Sequence, residues 1–411
     1  MKFHIVQAAV LAACSVLAAP ASAQSDGAAA PSAGAFAWNP SASFAGFGTL
    51  GYVAIDTDQA QYNAPGQYGG VGKEGGLGPD SKLGLQVNAK ANGVFSGTVQ
   101  VLTARNGEGH YKPGVEWAFV KAQATSDLAF RAGRIGGPFF AVSDFRNVGY
   151  SNLWVRPPLD VYAQVPISHF DGADALYTKT LGPATVTAQV FGGSASSVND
   201  EVKVDVKSLM GVNVTAEFDN GITVRAGTAS GKLTVHSDAI EGLASVLRAS
   251  GFTALGDQVD LTSRTATFSG VGLTYDHDEW VGSAEYTWRT GASEVADTTG
   301  WAITGGYRVG KFTPFLGYSR LRVDHFNIDD TLPPVPQLAP LKAGVDAVIA
   351  FSDIAEKTAT AGLRWDAFKS VALKAQLDRV TPHQGGNFYL PQPGLAGRTV
   401  NVYSLSADFV F

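Results

Sequence analysis

Residues 82–91 read KLGLQVNAKA. Leu83, Leu85, Val87, Ala89 and Ala91 fall on one side of an extended chain, and Lys82, Gly84, Gln86, Asn88 and Lys90 on the other. Side chains of a strand point alternately to opposite faces, so the segment offers one apolar wall and one polar wall. The same two-residue period recurs in both directions from this point. Val186, Ala188 and Val190 oppose Thr185, Thr187 and Gln189; Met210, Val212, Val214, Ala216 and Phe218 oppose Gly211, Asn213, Thr215 and Glu217. Further on, Trp280, Ala284, Tyr286 and Trp288 oppose Ser283, Glu285, Thr287 and Arg289, and Val371, Leu373, Ala375 and Leu377 oppose Lys374, Gln376 and Asp378. Several of these segments run about nine to eleven residues, the length a tilted strand needs to cross a bilayer. Strands of soluble sandwiches are commonly about five or six residues.

Composition fits apolarity spread over strands. Only 16% of the 411 residues are charged while 45% are hydrophobic and 48 are Gly, which excludes a disordered chain. Beyond about residue 24 no run approaches the ~18 apolar residues of a membrane helix. One Cys and two Met exclude a disulfide scaffold and a thiolate metal cluster. A net charge of −6 without a basic run leaves nucleic acid out as a partner.

Connections alternate in length. Short turns fall at Asn92-Gly93, Thr125-Ser126-Asp127, Gly182-Pro183, Asp219-Asn220-Gly221, Asp276-His277-Asp278, Gly310-Lys311 and Asp366-Ala367. Long stretches fall at about 56–81, 106–114, 136–168, 194–208, 230–263, 290–299, 324–356 and 381–398. Short turns on one side and long loops on the other are the asymmetry of an outer-membrane barrel. In hydrocarbon every backbone polar group must be paired, and a closed barrel is the sheet without an edge. The expectation is an all-β transmembrane antiparallel barrel of about sixteen strands over 43–411, with short periplasmic turns, long extracellular loops and aromatic girdles.

The amino terminus reads as an export signal over 1–23. Lys2 gives the charged start, Ile5 to Ala19 the apolar core, and Ala21-Ser22-Ala23 an A-x-A cleavage site. A lipoprotein-like Leu11-Ala12-Ala13-Cys14 competes, but the apolar core continues past it. Residues 24–42 are an Ala/Ser/Pro-rich flexible lead-in.

The chain resembles the Gram-negative outer-membrane porins, the sixteen-stranded trimeric diffusion channels, over nearly all of its mature length. The resemblance rests on Phe47-Gly48-Thr49-Leu50-Gly51-Tyr52, Arg131-Ala132-Gly133-Arg134, and Phe315-Leu316-Gly317-Tyr318-Ser319-Arg320-Leu321-Arg322. To these is added the ending Tyr403-Ser404-Leu405-Ser406-Ala407-Asp408-Phe409-Val410-Phe411. It implies a homotrimer in outer-membrane lipid and lipopolysaccharide. It also implies that Tyr403, Phe409 and Phe411 form the signal read by the barrel-assembly machinery, and that the third long loop folds into the lumen.

With the apolar phase toward lipid, parity assigns Lys82, Lys90, Arg225, Arg289, Arg308, Arg320, Arg322, Arg364 and Lys374 to an aqueous lumen. Glu217, Glu285, Asp366, Asp378 and Asp408 go with them. A wall with more cations than anions favours anions; mutual pairing of these charges is the bland alternative. The third loop carries Phe139, Phe140, Phe145, Tyr150, Trp154 and Tyr162. Such apolar content needs something to pack against, and the barrel interior supplies it; an outer lid or a subunit contact is the alternative. Arg134, Arg146 and Arg156 are expected on the basic side of a constriction, with Asp144 and Asp160 as its acidic charges. Residues 238–250 have helical spacing with an Asp238/Glu241 capping box and Gly251 as stop, while LPPVPQLAP at 332–340 reads as a stiff, extended external loop.

No catalytic constellation emerges. Ser168-His169 and His236-Ser237 are adjacent pairs pointing to opposite faces, and Asp276-His277-Asp278 sits on a turn. No metal or cofactor is expected. The reading is a water-filled channel for passive diffusion of small hydrophilic solutes and ions, with mild anion preference. The second reading is an occluded or substrate-selective barrel acting as an anchor or receptor.

Overall fold

In the computed structural model, which describes residues 38–199, 202–291, 296–326 and 328–411, sixteen strands close into one antiparallel barrel. They are β1 (Ser41–Ile55), β2 (Lys82–Lys90), β3 (Phe95–Arg105), β4 (Tyr111–Gln123), β5 (Leu128–Gly136), β6 (His169–Leu181), β7 (Ala184–Asn199) and β8 (Val202–Phe218). The second half comprises β9 (Ile222–His236), β10 (Arg264–His277), β11 (Trp280–Gly291), β12 (Asp297–Tyr307), β13 (Phe312–His325), β14 (Glu356–Phe368), β15 (Val371–Pro382) and β16 (Val400–Val410). Each strand pairs with its sequence neighbours, and β1 pairs with β16 from Phe47↔Val410 to Ile55↔Val402 to close the ring.

The alternation seen in the sequence becomes two walls. On β2, Leu83, Leu85 and Val87 are exposed outward while Gly84 and Gln86 are buried inward. The closing seam is filled by aromatic rings lying over glycines. A Cβ on Gly48 would lie 2.4 Å from the Phe409 ring, and one on Gly46 would lie 2.2 Å from Phe411. Only glycine leaves room there. On the outer wall Trp280 meets Tyr307, and Phe312 stacks on Trp365 near the short turns. Trp301 meets Tyr318 nearer the long-loop ends. These are two aromatic belts.

Several boundaries differ from the sequence reading. β1 begins at Ser41, before the expected start at 43; the export signal and most of the lead-in lie outside the described residues. Of the stretch 194–208, expected as loop, residues 194–199 belong to β7 and 202–208 to β8; Val202, Val204 and Val206 alternate, Val202 pairing with Asn199 of β7 and Val204 and Val206 with Val235 and Leu233 of β9. The barrel therefore projects beyond a membrane's thickness on that side. The helix Asp238–Ala249 forms as expected, but Ser237 at its start makes no side-chain cap bond. The stretch expected to be extended from 332 to 340 instead turns into a 3₁₀ turn at Pro336–Leu338 and a helix Ala339–Ser352. Pro340 sits in that helix's first turn, where a missing N–H costs nothing. The two loop helices share a small apolar core with Leu247, Leu255, Val259, Leu332 and Val345.

Candidate functional site: the infolded third loop and the inner wall

Residues 137–168 connect β5 to β6 and pack inside the barrel. Phe139, Val165 and Ile167 join Trp117, Phe119, Phe170 and Phe191 of the wall. Phe140, Leu153, Trp154 and Tyr162 join Phe268, Ala302 and Phe315 on the opposite side. Phe140 stacks on Tyr162 at 4.4 Å. The loop's backbone is held by wall side chains that donate to or accept from it. Asn213 Nδ2 donates to Pro138 O (3.3 Å), and the Ala141 N–H donates to Glu285 (2.8 Å). Arg364 Nη1 donates to Tyr150 O (2.6 Å) and Asn152 O (2.9 Å). Lys374 Nζ donates to Gly149 O (2.7 Å) and Trp154 O (2.8 Å), and lies 3.0 Å from Asp408. The Val155 N–H donates to Gln376 (2.8 Å). An irregular segment inside a barrel needs such partners, since water reaches little of it.

Arg156 is the most heavily bonded of these residues. Its Nε and Nη2 donate to both Asp80 oxygens (3.0 and 2.6 Å), Nη1 to Asp378 (3.0 Å) and Nη2 to Ser404 (2.5 Å). The guanidinium also lies 4.9 Å over the Tyr62 ring. Despite its burial, the carboxylates around it hold it protonated, above its ordinary range. Asp160 is 1% exposed and accepts a hydrogen bond from Ser319 (2.6 Å). Burial pushes its carboxyl up to about 6. Both residues, expected at the constriction, instead lie sealed between loop and wall and fasten one to the other.

Asp144 and Arg146 behave differently. Asp144 is 60% exposed in its side chain and meets Arg225 Nη1 at 3.0 Å. Arg146 is half-buried and has no hydrogen bond or ion pair among the described residues. It lies within electrostatic range of Glu116 on β4 and of Lys82 on β2. Lys82 faces inward and likewise lacks a bonded partner among the described residues.

The remaining cations divide sharply. Arg225 and Arg289 face inward, and Arg289 Nη1 donates to Gln164 O at 3.0 Å. Arg364 and Lys374 face inward but spend their protons on the loop backbone. Lys90 shares the inward phase of Lys82 and ends its strand at the short-turn rim, exposed. Arg308 does not line the lumen: it lies past the end of β12 and donates to Asp278 O at 2.8 Å, with Asp276 2.7 Å away. Arg320 and Arg322 face outward. Parity misled here because both phases of β13 carry apolar residues: Phe315 and Leu321 point inward, where Phe315 packs against the loop, while Phe312, Leu316 and Tyr318 share the outward phase with Arg320 and Arg322. Arg134 also faces outward, bonded through Nε and Nη2 to both Asp171 oxygens at 2.8 Å. Arg131, three positions earlier, is the inward arginine, paired with Asp174.

Sequence reasoning missed Asp80, Gln164 and Tyr62. Gln164 donates to Thr287 (2.7 Å) and accepts from Thr298 (3.0 Å); no local pattern marks such residues. The neighbouring loops add a third plug, with Tyr62, Val71, Phe388 and Leu395 packed on the inward-facing Val53, Val400 and Val402.

The model of the family described as Gram-negative porin matches residues 8–387. Among solved structures, OmpF of Salmonella typhi in complex with daunomycin aligns over 90% of this chain and 97% of its own, with 14% identity and a TM-score of 0.54. The anion-selective porin from Comamonas acidovorans aligns over 91% of this chain and 100% of its own, with 12% identity and a TM-score of 0.54. OmpT of Vibrio cholerae, in a trimer form, aligns over 90% and 99%, with 13% identity and a TM-score of 0.51. These three likenesses establish the fold. No curated protein matches the sequence. The closed barrel, its infolded third loop and the family match together place this chain in the Gram-negative porin family, as a channel protein of the outer membrane.

Proposed function

We propose that the protein is a passive diffusion channel for small hydrophilic solutes and ions, with mild anion preference and no catalytic step. The observation that carries this reading is the imbalance of unspent charge around the loop. Asp80, Asp378 and Asp408 are all bonded to cations, and Asp144 meets Arg225. Among the described residues Arg146 and Lys82, within electrostatic range of each other, are not bonded to any anion, and Glu217 of the inner wall is likewise without a bonded cation. Unpaired cations at a narrowing concentrate anions and repel cations. In this reading Asp144 and Arg146 line the constriction, Lys82 and Arg225 line the wall, and Arg156 and Asp160 hold the loop in place.

The trimer form of the Vibrio cholerae relative supports a homotrimer. An export signal cleaved after residue 23 and assembly through Tyr403, Phe409 and Phe411 complete the proposal. The seam supports the last point, since Phe409 and Phe411 close the barrel over Gly48 and Gly46. The zero-current potential across a tenfold KCl gradient in a planar bilayer tests the reading. Discrete ohmic openings with an anion-directed potential are expected; a cation-directed potential would refute the charge assignment. One observation favours a substrate-selective or occluded barrel instead: three loops fill part of the mouth. Absence of openings from folded protein would select it.

A further inference from the structure

Four neighbouring strands each send one side chain to the same short turn of the infolded loop. Arg364 of β14 donates to Tyr150 O (2.6 Å) and Asn152 O (2.9 Å), and Lys374 of β15 donates to Gly149 O (2.7 Å). Asp408 of β16 lies 3.0 Å from Lys374 and accepts from the Thr49 hydroxyl of β1 at 2.5 Å. A Cβ added to Gly149 would fall 2.5 Å from Thr49 Oγ1 and closer still to Asp408 Oδ1, so the turn rests directly on that pair. Thr49, Lys374 and Asp408 are all buried. β1 and β16 are the strands whose pairing closes the barrel, and Thr49 stands directly opposite Asp408 in their register. The turn therefore sits astride the closing seam.

This seat fixes the stretch of loop before it. Asn152 is buried and turns its side-chain amide back along the loop, where Nδ2 donates to Phe145 O (3.3 Å) and Val148 O (3.1 Å). The Val148 N–H donates to Phe145 O (2.9 Å) and the Ser151 N–H to Val148 O (3.0 Å). Phe145 stands between Asp144 and Arg146 in the chain. A run of hydrogen bonds thus leads from the seam to the two loop charges. Thr49 carries no charge, so its influence on them is positional. It orients Asp408, whose Oδ1 accepts from Thr49 while Oδ2 takes Lys374 and the Ser406 hydroxyl. A buried polar network whose members are satisfied in this way is rigid and specifies one arrangement.

We infer that Thr49, Asp408 and Asn152 are positioning residues for ion selectivity: the seam pair seats the turn Gly149–Asn152, and Asn152 passes that position on to Asp144 and Arg146. The inference rests on the anion preference proposed above for those loop charges. Because one half of the seat comes from the first strand and the other from the last, the constriction takes its final shape only when the ring has closed.

The test uses purified full-length protein with two readouts, amide exchange over 144–152 and the chloride-to-potassium permeability ratio from the zero-current potential. Thr49→Val removes the hydroxyl while keeping shape and charge. Exchange should accelerate at least about tenfold, the factor expected for one lost hydrogen bond to a charged group. The permeability ratio should fall toward that of Arg146→Gln, and Thr49→Ser should keep both readouts at their wild-type values. In an Arg146→Gln background Thr49→Val should lower the ratio no further, since residues that act through one another are not additive. Slow exchange over 402–410 shows that the seam is closed. Should Thr49→Val open it, Gly149→Ala decides, because it lifts the turn and leaves the seam pair in place. Unchanged exchange over 144–152 with a closed seam would overturn the inference. Faster exchange with an unchanged ratio, where Arg146→Gln does lower the ratio, would make the seat purely structural and overturn it as well. If Arg146→Gln itself leaves the ratio unchanged, the charge assignment of the constriction is refuted, and exchange alone then decides the seat.

Discussion

Residues 137–147 and 149–164 are two halves of one loop, each rich in aromatic rings and carrying arginine and aspartate. In the second half every charge is spent. Arg156 satisfies two carboxylates, Asp160 is buried against Ser319, and the backbone accepts from Arg364 and Lys374. In the first half Asp144 is mostly exposed and Arg146 has no bonded partner. The second half is therefore an anchor, while the first half packs Phe139, Phe140 and Val142 against the wall and leaves Asp144 mostly exposed. The difference teaches that a charge in a pore protein counts toward selectivity only if nothing in the protein has already neutralised it.

The largest effect should come from breaking the anchor. Arg156→Ala leaves Asp80 and Asp378 buried without their cation, and loss of one partner of a buried ion pair costs about 3–5 kcal/mol. Amide exchange across 149–164 should accelerate strongly and single-channel conductance should become larger or noisier. Unchanged protection would show that Arg364 and Lys374 suffice to hold the loop.

Next comes the first half. Arg146→Glu should move the reversal potential in a KCl gradient toward cations, whereas an unaltered potential would place Arg146 outside the conduction path. The contrast sharpens with Arg320→Glu, an equal charge change on the outer wall, for which no shift in selectivity is expected. A shift there equal to that of Arg146→Glu would mean that the inner and outer assignments of β13 are wrong.

A smaller effect should follow pH. Burial raises the Asp160 carboxyl to about 6, above its ordinary 3.8, with Asp378 adding to the rise. The docked loop thus binds a proton that the detached loop releases between those values. Linkage makes docking stronger as pH falls from 7 toward 5, and weaker as pH rises through 6. Asp160→Asn should flatten this dependence, read as amide exchange of 149–164 at pH 5 and 7. A slope unchanged by the substitution would assign it to another group.

Much of the fold was legible because a membrane barrel repeats one local rule. Residues 82–91, 184–192 and 280–288 alternate faces, and glycine and aspartate mark the short turns. What misled was the same rule applied to the inner wall of β13. There Phe315 meets a loop rather than water, so apolar residues stand on both faces, and Arg320 and Arg322 share the outward one with Leu316 and Tyr318. Arg308 failed for a different reason: its strand ends one residue earlier, and phase has no meaning on a turn. The extended reading of 332–340 failed because a helix can begin at a proline, and the apolar residues of 339–352 then find Leu243 and Leu247 of another loop.

By itself the sequence determined the strand periodicity, the alternation of short and long connections, the closing aromatic segment and hence an outer-membrane barrel. These follow from neighbours in the chain, since each strand must present one face to lipid. Tertiary structure alone decided which charges are spent. Arg156 meets Asp80, Asp378 and Ser404 from three distant parts of the chain, and Arg146 meets none. Whether a charge is neutralised depends on partners brought together by closure of the ring, and no local spacing encodes them.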